Sequence, residues 1–285
     1  MSLKDSILAL PKKMRKTIRS DAAQIAVVRM EGPIGTGGRY GNRTLSMQTM
    51  AKPLEKAFAS KRYKAVALLI NSPGGSPVQS SLIAKRIALL KQKHDKPVIA
   101  FTEDVAASGG YWIACAADEI YADPASLIGS IGVVSAGFGL HRLIKEYGIE
   151  RRVYSQGENK VRLDPFQAAK EEDRDWLLGL QAQMHDLFKA HVKARRGEKL
   201  KGSDEELMNG DVWLAGAALE LGLIDGQVEL RDLMQQRYGE KVKLVVINKS
   251  NEGFARLFGA QNLPNLPQAL MAELEGRLLW ERFRL

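Results

Sequence analysis

Leu68-Leu69-Ile70-Asn71-Ser72-Pro73-Gly74-Gly75-Ser76 reads as an apolar strand running into a Pro-Gly-Gly turn, with a helical pattern starting directly after it. A short apolar run of this kind matches a strand covered on both faces. The two glycines permit backbone geometries, and a close ligand approach, that a side chain would block. Such a turn either joins strand to helix or aims main-chain N–H groups into a cleft. The stretch alone leaves both readings open.

Outward from this point, short β-rich runs alternate with longer amphipathic stretches, the habit of an α/β fold. Strands are expected at 24–30, 65–70, 97–102, 119–122, 131–134 and 150–155, and helices near 47–60, 77–93, 108–117 and 138–147. Crossovers of that length favour a largely parallel sheet. A long polar-rich helix is expected over 167–196, and the 211–247 portion reads as helix, helix and a last strand at 242–247. Glycine, asparagine and three prolines follow Asn248, so a helical stretch near 267–282 is expected as an appendage. The partition is a basic segment over 1–23, one α/β domain over 24–248 and a helical extension over 249–285.

Composition sets outer limits. Of 285 residues, 45% are hydrophobic and 26% charged, a globular balance rather than a disordered or fibrous one. The formal charge of +9 raises nucleic acid as a partner, but no aromatic-studded basic stripe, zinc-ligand spacing or helix-turn-helix signal accompanies it. No nucleic-acid partner is expected. Part of the excess sits in Lys4, Lys12, Lys13, Arg15, Lys16 and Arg19, interleaved with Leu3, Ile7, Leu8 and Leu10. That segment suits a solvated tail, an oligomer contact or a segment lying on a membrane surface. No run reaches the roughly 18 apolar residues of a membrane span, so no transmembrane helix is expected. The single cysteine, Cys115, excludes an intramolecular disulfide and lies in an apolar run, where a buried inert thiol is expected.

A second glycine-rich turn, Ala106-Ala107-Ser108-Gly109-Gly110-Tyr111-Trp112, follows the strand around Val98–Thr102 and opens an apolar helix. A serine there either caps the helix or presents a nucleophile close to free main-chain amides. Parallel strands would bring both turns to one sheet edge. Gly75 and Gly109 could then donate their N–H groups to a developing oxyanion beside Ser108. This convergence favours the nucleophile.

Asn-Ser-Pro-Gly-Gly (71–75) and Ala-Ala-Ser-Gly-Gly-Tyr (106–111), followed by Ala-Ala-Asp-Glu-Ile-Tyr-Ala (116–122) and Gly-Ser-Ile-Gly-Val (129–133), resemble the signal peptide peptidase A family. The likeness runs from about residue 24 to 240 and includes Gly210-Asp211-Val212-Trp213 and Gly222-Leu223-Ile224-Asp225. It implies a Clp/crotonase-like fold of repeated β-β-α units, with 24–248 as a peptidase domain and helical extensions at the termini. The implied activity is a serine endopeptidase with a Ser-Lys dyad and no cofactor or metal. Its substrates would be peptides such as signal-peptide remnants, and its state a homo-oligomeric ring or dome. Members place the lysine roughly fifty residues beyond the serine. Lys160, in Ser155-Gln156-Gly157-Glu158-Asn159-Lys160, fits as the base, and Ser130 is implied to hydrogen-bond its amine. The resemblance leaves open whether Lys160 serves its own chain or the next. Familiar members carry an N-terminal membrane anchor, which is not expected here, so the expected location is cytoplasmic or peripheral to a membrane.

A lysine base must be uncharged, and deprotonating an ordinary lysine at pH 7 costs roughly 4 to 5 kcal/mol. Lys160 is therefore expected in a largely closed pocket, bonded to neutral hydroxyls. The other conceivable base is a histidine. By chain order only His141 suits a Ser-His-Asp triad, and it sits in an ordinary helical pattern; His94, His185 and His191 suit one less. Two rival functions remain: a crotonase-like acyl-CoA enzyme that needs no nucleophilic serine, and a non-catalytic membrane-associated scaffold.

Overall fold

A computed structural model describes residues 22–35 and 44–248, together with Trp280 and Phe283. The expectations for 3–19 and 267–282 lie outside the described residues. The chain runs β1 (Gln24–Glu31), α1 (Met47–Ala59), β2 (Tyr63–Ser72), α2 (Pro77–His94), β3 (Val98–Ala107), α3 (Gly109–Ala114), β4 (Glu119–Ala122) and β5 (Leu127–Gly129). It continues through α4 (His141–Glu146), α5 (Glu171–Arg196), α6 (Asp204–Leu207), β6 (Val212–Leu214), α7 (Ala215–Glu220), β7 (Gly226–Gln227), α8 (Leu230–Tyr238) and β8 (Lys243–Val246).

The sheet has the order β6-β5-β3-β2-β1-β8, with β4 beside β3 and β7 beside β4. Every pair is parallel except β5 with β6. This is the mixed α/β, mostly parallel architecture expected from the sequence. β3 forks: Ile99–Thr102 pair with β4, whereas Val105–Ala107 pair with β5. Ser108 is the residue directly after the second pairing.

Side chains alternate between two cores. Ala26, Val28 and Met30 of β1 join the larger one, and Ile25 and Val27 join a smaller one with Leu230, Leu233 and Met234 of α8. The larger core is closed by Leu54 and Phe58 from α1 and by Ile83, Ile87 and Leu90 from α2, all at helical spacing and buried. Each such side chain contributes about 1.5–3 kcal/mol of burial. Local signals start the helices: Ser46 and Thr49 form a capping box on α1, while Ser76 caps α2 with Pro77 in its first turn.

Three expectations are corrected. The strand expected at 131–134 is instead Leu127–Gly129, because Ser130 takes a φ of 51° and turns the chain out of the sheet. No strand forms at 150–155, where the stretch has no sheet partner among the described residues. The 211–247 portion opens with a short antiparallel strand, β6, before its two helices. The helices expected at 108–117 and 138–147 are also shorter, ending as Gly109–Ala114 and His141–Glu146.

Candidate active site

Ser108 stands between β3 and α3 with φ 51° and ψ −122°, a conformation that costs a non-glycine residue about 1–3 kcal/mol. Its N–H donates to the Gly129 carbonyl (2.8 Å), and its carbonyl accepts from Trp112 N (3.0 Å). These bonds hold the residue from both sides. Its hydroxyl makes no capping bond to α3, unlike those of Ser46 and Ser76 on their helices. Ser108 is thus more than a cap: the main chain is pinned and the Oγ is left over.

The two glycine-rich turns meet at this residue. A Cβ on Gly74 would fall 2.7 Å from the Ser108 Cβ and 2.8 Å from Gly109 N, so only hydrogen fits there. Ile34 N donates to Gly74 O and Ser76 N donates to Ile34 O, each at 2.8 Å. In such a parallel bridge, the residue between the two bonds directs its own N–H to the other side. Gly75 is that residue, and its φ of 137° leaves no room for a side chain, since a Cβ would lie 2.2 Å from Ile34 O. Gly109 is the first residue of α3, where N–H groups lack intrahelical acceptors. Gly75, Ser108 and Gly109 together line a cavity of about 20 Å³, closed by Pro77, Trp112, Gly132, Val133, Met184 and Phe188.

The wall from α5 was not anticipated. Met184, Phe188 and Val192 recur at helical spacing within a helix otherwise polar, and that spacing is the signal that identifies its inner face. Phe188 stacks on Trp112 (centroids 4.8 Å apart), and His191 stacks on Trp112 as well (4.9 Å). His191 Nε2–H donates to the Trp112 carbonyl and His185 Nε2–H to the Ile131 carbonyl, both at 3.0 Å. Burial pushes the His191 pKa down, so the ring is a neutral donor. At the end of the same helix, Arg195 donates to the carbonyls of Cys115, Ala116 and Ala117, covering the free end of α3. Arg196 is buried and holds Gly222 O and the Asp225 carboxylate. One helix therefore clamps α3, the Ile131 loop and the 222–225 turn.

Lys160 lies elsewhere in the single chain. It is exposed, its N–H donates to Gly157 O (3.1 Å), and it is not among the residues lining the Ser108 cavity. The expected closed pocket around its amine is absent within one chain. Ser130 is buried beside Gly129, and its N–H donates to Asp211 O (2.6 Å). None of His94, His141, His185 and His191 lines the cavity. Residues 133–170 carry Lys160 on a stretch that leaves several large apolar side chains exposed: Phe138 is 80% exposed, Tyr147 72% and Tyr154 91%, and α4 buries no residue. No helix among the described residues is long and apolar enough to cross a membrane.

Peptidase family S49 matches residues 90–244. A protein of Brucella abortus called Na(+)/H(+) antiporter NhaA is 46% identical over 97% of this chain, which covers 40% of that protein. The putative signal peptide peptidase SppA of Enterococcus faecium is 30% identical over 78% of this chain and 65% of its own length. Among solved structures, the 1510-N membrane-bound stomatin-specific protease aligns with a TM-score of 0.49 and 17% identity, covering 80% of this chain and 99% of that one. The chain spans 29% to 40% of the first curated relatives it matches. With a match over more than half its length, including the serine turn and both strands of the fork, the chain belongs to peptidase family S49.

Proposed function

We propose that this chain is a serine endopeptidase in which Ser108 is the nucleophile and Lys160 the general base. The observation that carries the reading is Ser108 itself, strained, pinned through its main chain and uncommitted at its hydroxyl, in one cavity with Gly75 and Gly109. The Lys160 amine takes the hydroxyl proton as Oγ attacks the peptide carbonyl carbon. The N–H groups of Gly75 and Gly109 hold the carbonyl oxygen as it becomes negative. The lysine then returns the proton to the leaving amine, and water releases the acyl group by the same steps. Ser130 orients the amine. Family membership supports the reaction class, and the name of the Enterococcus relative supports peptides such as signal-peptide remnants as substrates.

The exposed lysine and the exposed apolar side chains of 133–170 point the same way. Large aromatic surface left open on a folded chain marks a contact with another molecule. In a homo-oligomer, a ring or a dome, this stretch packs on the next copy and delivers Lys160 to that copy's Ser108. A location in the cytoplasm or at a membrane surface fits a chain that works on released peptides.

Mixing two inactive variants tests this. Ser108→Ala retains the lysine and Lys160→Ala retains the serine, so a mixed assembly recovers turnover if the base crosses the interface. Two inactive variants that stay inactive together place both groups in one chain. A Lys160→Ala assembly with native turnover removes the base altogether.

A further inference from the structure

We propose that Ser72, the last residue of β2, is a positioning residue that aims the Gly75 amide at the oxyanion. The inference rests on the peptidase reading above and adds to it the group that holds one of its two donors. Ser72 is buried, and its hydroxyl works in both directions: Oγ–H donates to Gly32 O (2.7 Å), and Oγ accepts from Gly74 N–H (3.3 Å). Gly32 N–H donates in turn to Asn71 O (2.9 Å), so the exit of β1 is tied to the end of β2 at two points. Ser72 does not line the Ser108 cavity, and no step of the reaction uses it directly.

The turn needs such a brace because it is built from two glycines. Gly74 and Gly75 stand at φ 99° and 137°, and a glycine backbone moves between conformations more freely than any other. Gly74 O accepts from Ile34 N–H (2.8 Å). Across a planar trans peptide, the Gly75 N–H then points the opposite way, away from Ile34. Its direction is set by how the peptide plane between Gly74 and Gly75 is held. Ile34 holds the carbonyl of Gly74 and Ser72 holds its N–H, so residue 74 is anchored at both of its polar groups. A Cβ on Gly110 would lie 2.6 Å from Ser72 O and 3.2 Å from Ser72 Cβ, so the same residue also rests against α3, next to Gly109. Ser72 thereby stands behind both turns that supply the amides. Without its hydroxyl the plane is held at one end only, and a misplacement of about 1 Å in such a group costs about 100-fold in rate.

The test is Ser72→Ala in the full oligomer, with hydrolysis of one peptide normalised to the sites titrated by a serine-reactive phosphonate. kcat is expected to fall about 10- to 100-fold while KM stays within about twofold of native, the pattern of an interaction made only in the transition state. A peptide aldehyde, to which the Ser108 hydroxyl adds to give a tetrahedral hemiacetal, is expected to bind more weakly by the same factor. The Kd of the uncleaved peptide for Ser108→Ala is expected to stay the same when Ser72→Ala is added. Ser126→Ala removes another buried hydroxyl, one that donates to the carbonyls of Thr102 and Glu103, and is expected to lower Tm and leave kcat native. Ser72→Cys keeps a weak donor and acceptor in place and is expected to recover part of kcat. Native kcat per titrated site in Ser72→Ala, or in Ser72→Cys where the alanine variant fails to fold, overturns the proposal. A rise in KM alone, or an equal loss of kcat in Ser126→Ala, overturns it as well. In each of these cases Ser108-dependent hydrolysis by the native chain leaves the peptidase standing. A native chain without Ser108-dependent hydrolysis overturns the peptidase and the positioning role together.

Discussion

A Cβ built on Gly74 would lie 2.7 Å from the Ser108 Cβ, so the turn after β2 and the turn after β3 touch through positions where only a glycine hydrogen fits. The cavity, the free amides and the serine hydroxyl all follow from that approach. It is also the place where the site is most easily broken.

Gly75→Ala therefore serves as a probe of the oxyanion turn. The new methyl would meet Ile34 O at 2.2 Å, at a φ of 137° that L side chains rarely adopt. The expected result is a stability loss of about 1–3 kcal/mol and a fall in turnover of about 100-fold, measured by denaturant melts and peptide hydrolysis. A variant that keeps native turnover shows that this amide is not used.

Arg196 and Asp225 form the buried tie between α5 and the turn before β7. Burial opposes the charge on Asp225, but hydrogen bonds from Arg196, Lys199 and Ile120 N outweigh it and hold the carboxyl below the usual range. Arg196→Met is expected to cost about 1–3 kcal/mol, because it takes donors from the part-buried Asp225 carboxylate and from Gly222 O while Lys199 and Ile120 N stay on the carboxylate. A folded-state pKa below the unfolded one stabilises the protein above the ordinary carboxylate value of about 3.9. That contribution is lost as pH falls from there through the depressed value. Acid melts are expected to show this loss in the native chain and not in Asp225→Asn.

Cys115 is a marker for opening of the core under α3. Burial pushes its thiol up to about 12, against the nearby positive charges of Arg196 and Arg195. The folded chain is expected to resist iodoacetamide at pH 8 for hours, and the unfolded chain to take up one label. Labelling at the rate of a free thiol means that this helix opens readily.

The apolar side chains on 133–170 make assembly sensitive to substitution. Phe138→Ser with Tyr154→Ser is expected to raise the concentration needed for oligomer formation at least about tenfold, seen by sedimentation. Turnover is expected to fall in parallel. An unchanged assembly with native turnover shows that this surface does not carry the contact.

Most of the frame was legible from local pattern. The parallel strands from Gln24 to Ala122 carry apolar runs such as 25–28, 65–70 and 98–101, and Ser46, Ser76 and Pro77 announce their helices. The meeting of the two glycine turns followed from parallel pairing alone. The stretches 131–134 and 150–155 were harder. Ile131 is buried in the larger core, but Ser130 turns the chain out of the sheet just before it, and the second stretch is exposed with no sheet partner among the described residues. The wall of the cavity was hidden for another reason: Met184 and Phe188 are a few apolar residues in a long charged helix, and which surface they face depends on contacts distant in sequence. The same holds for Arg195 and Arg196, whose acceptors are the main-chain ends of α3 and of the turn after α7.

The most direct measurement is covalent trapping of the nucleophile by a serine-reactive phosphonate, located by peptide mapping. A single adduct on Ser108 is expected in the native oligomer, none in Ser108→Ala, and formation about 100-fold or more slower in Lys160→Ala. An adduct on another residue, or peptide turnover that survives Ser108→Ala, contradicts the account.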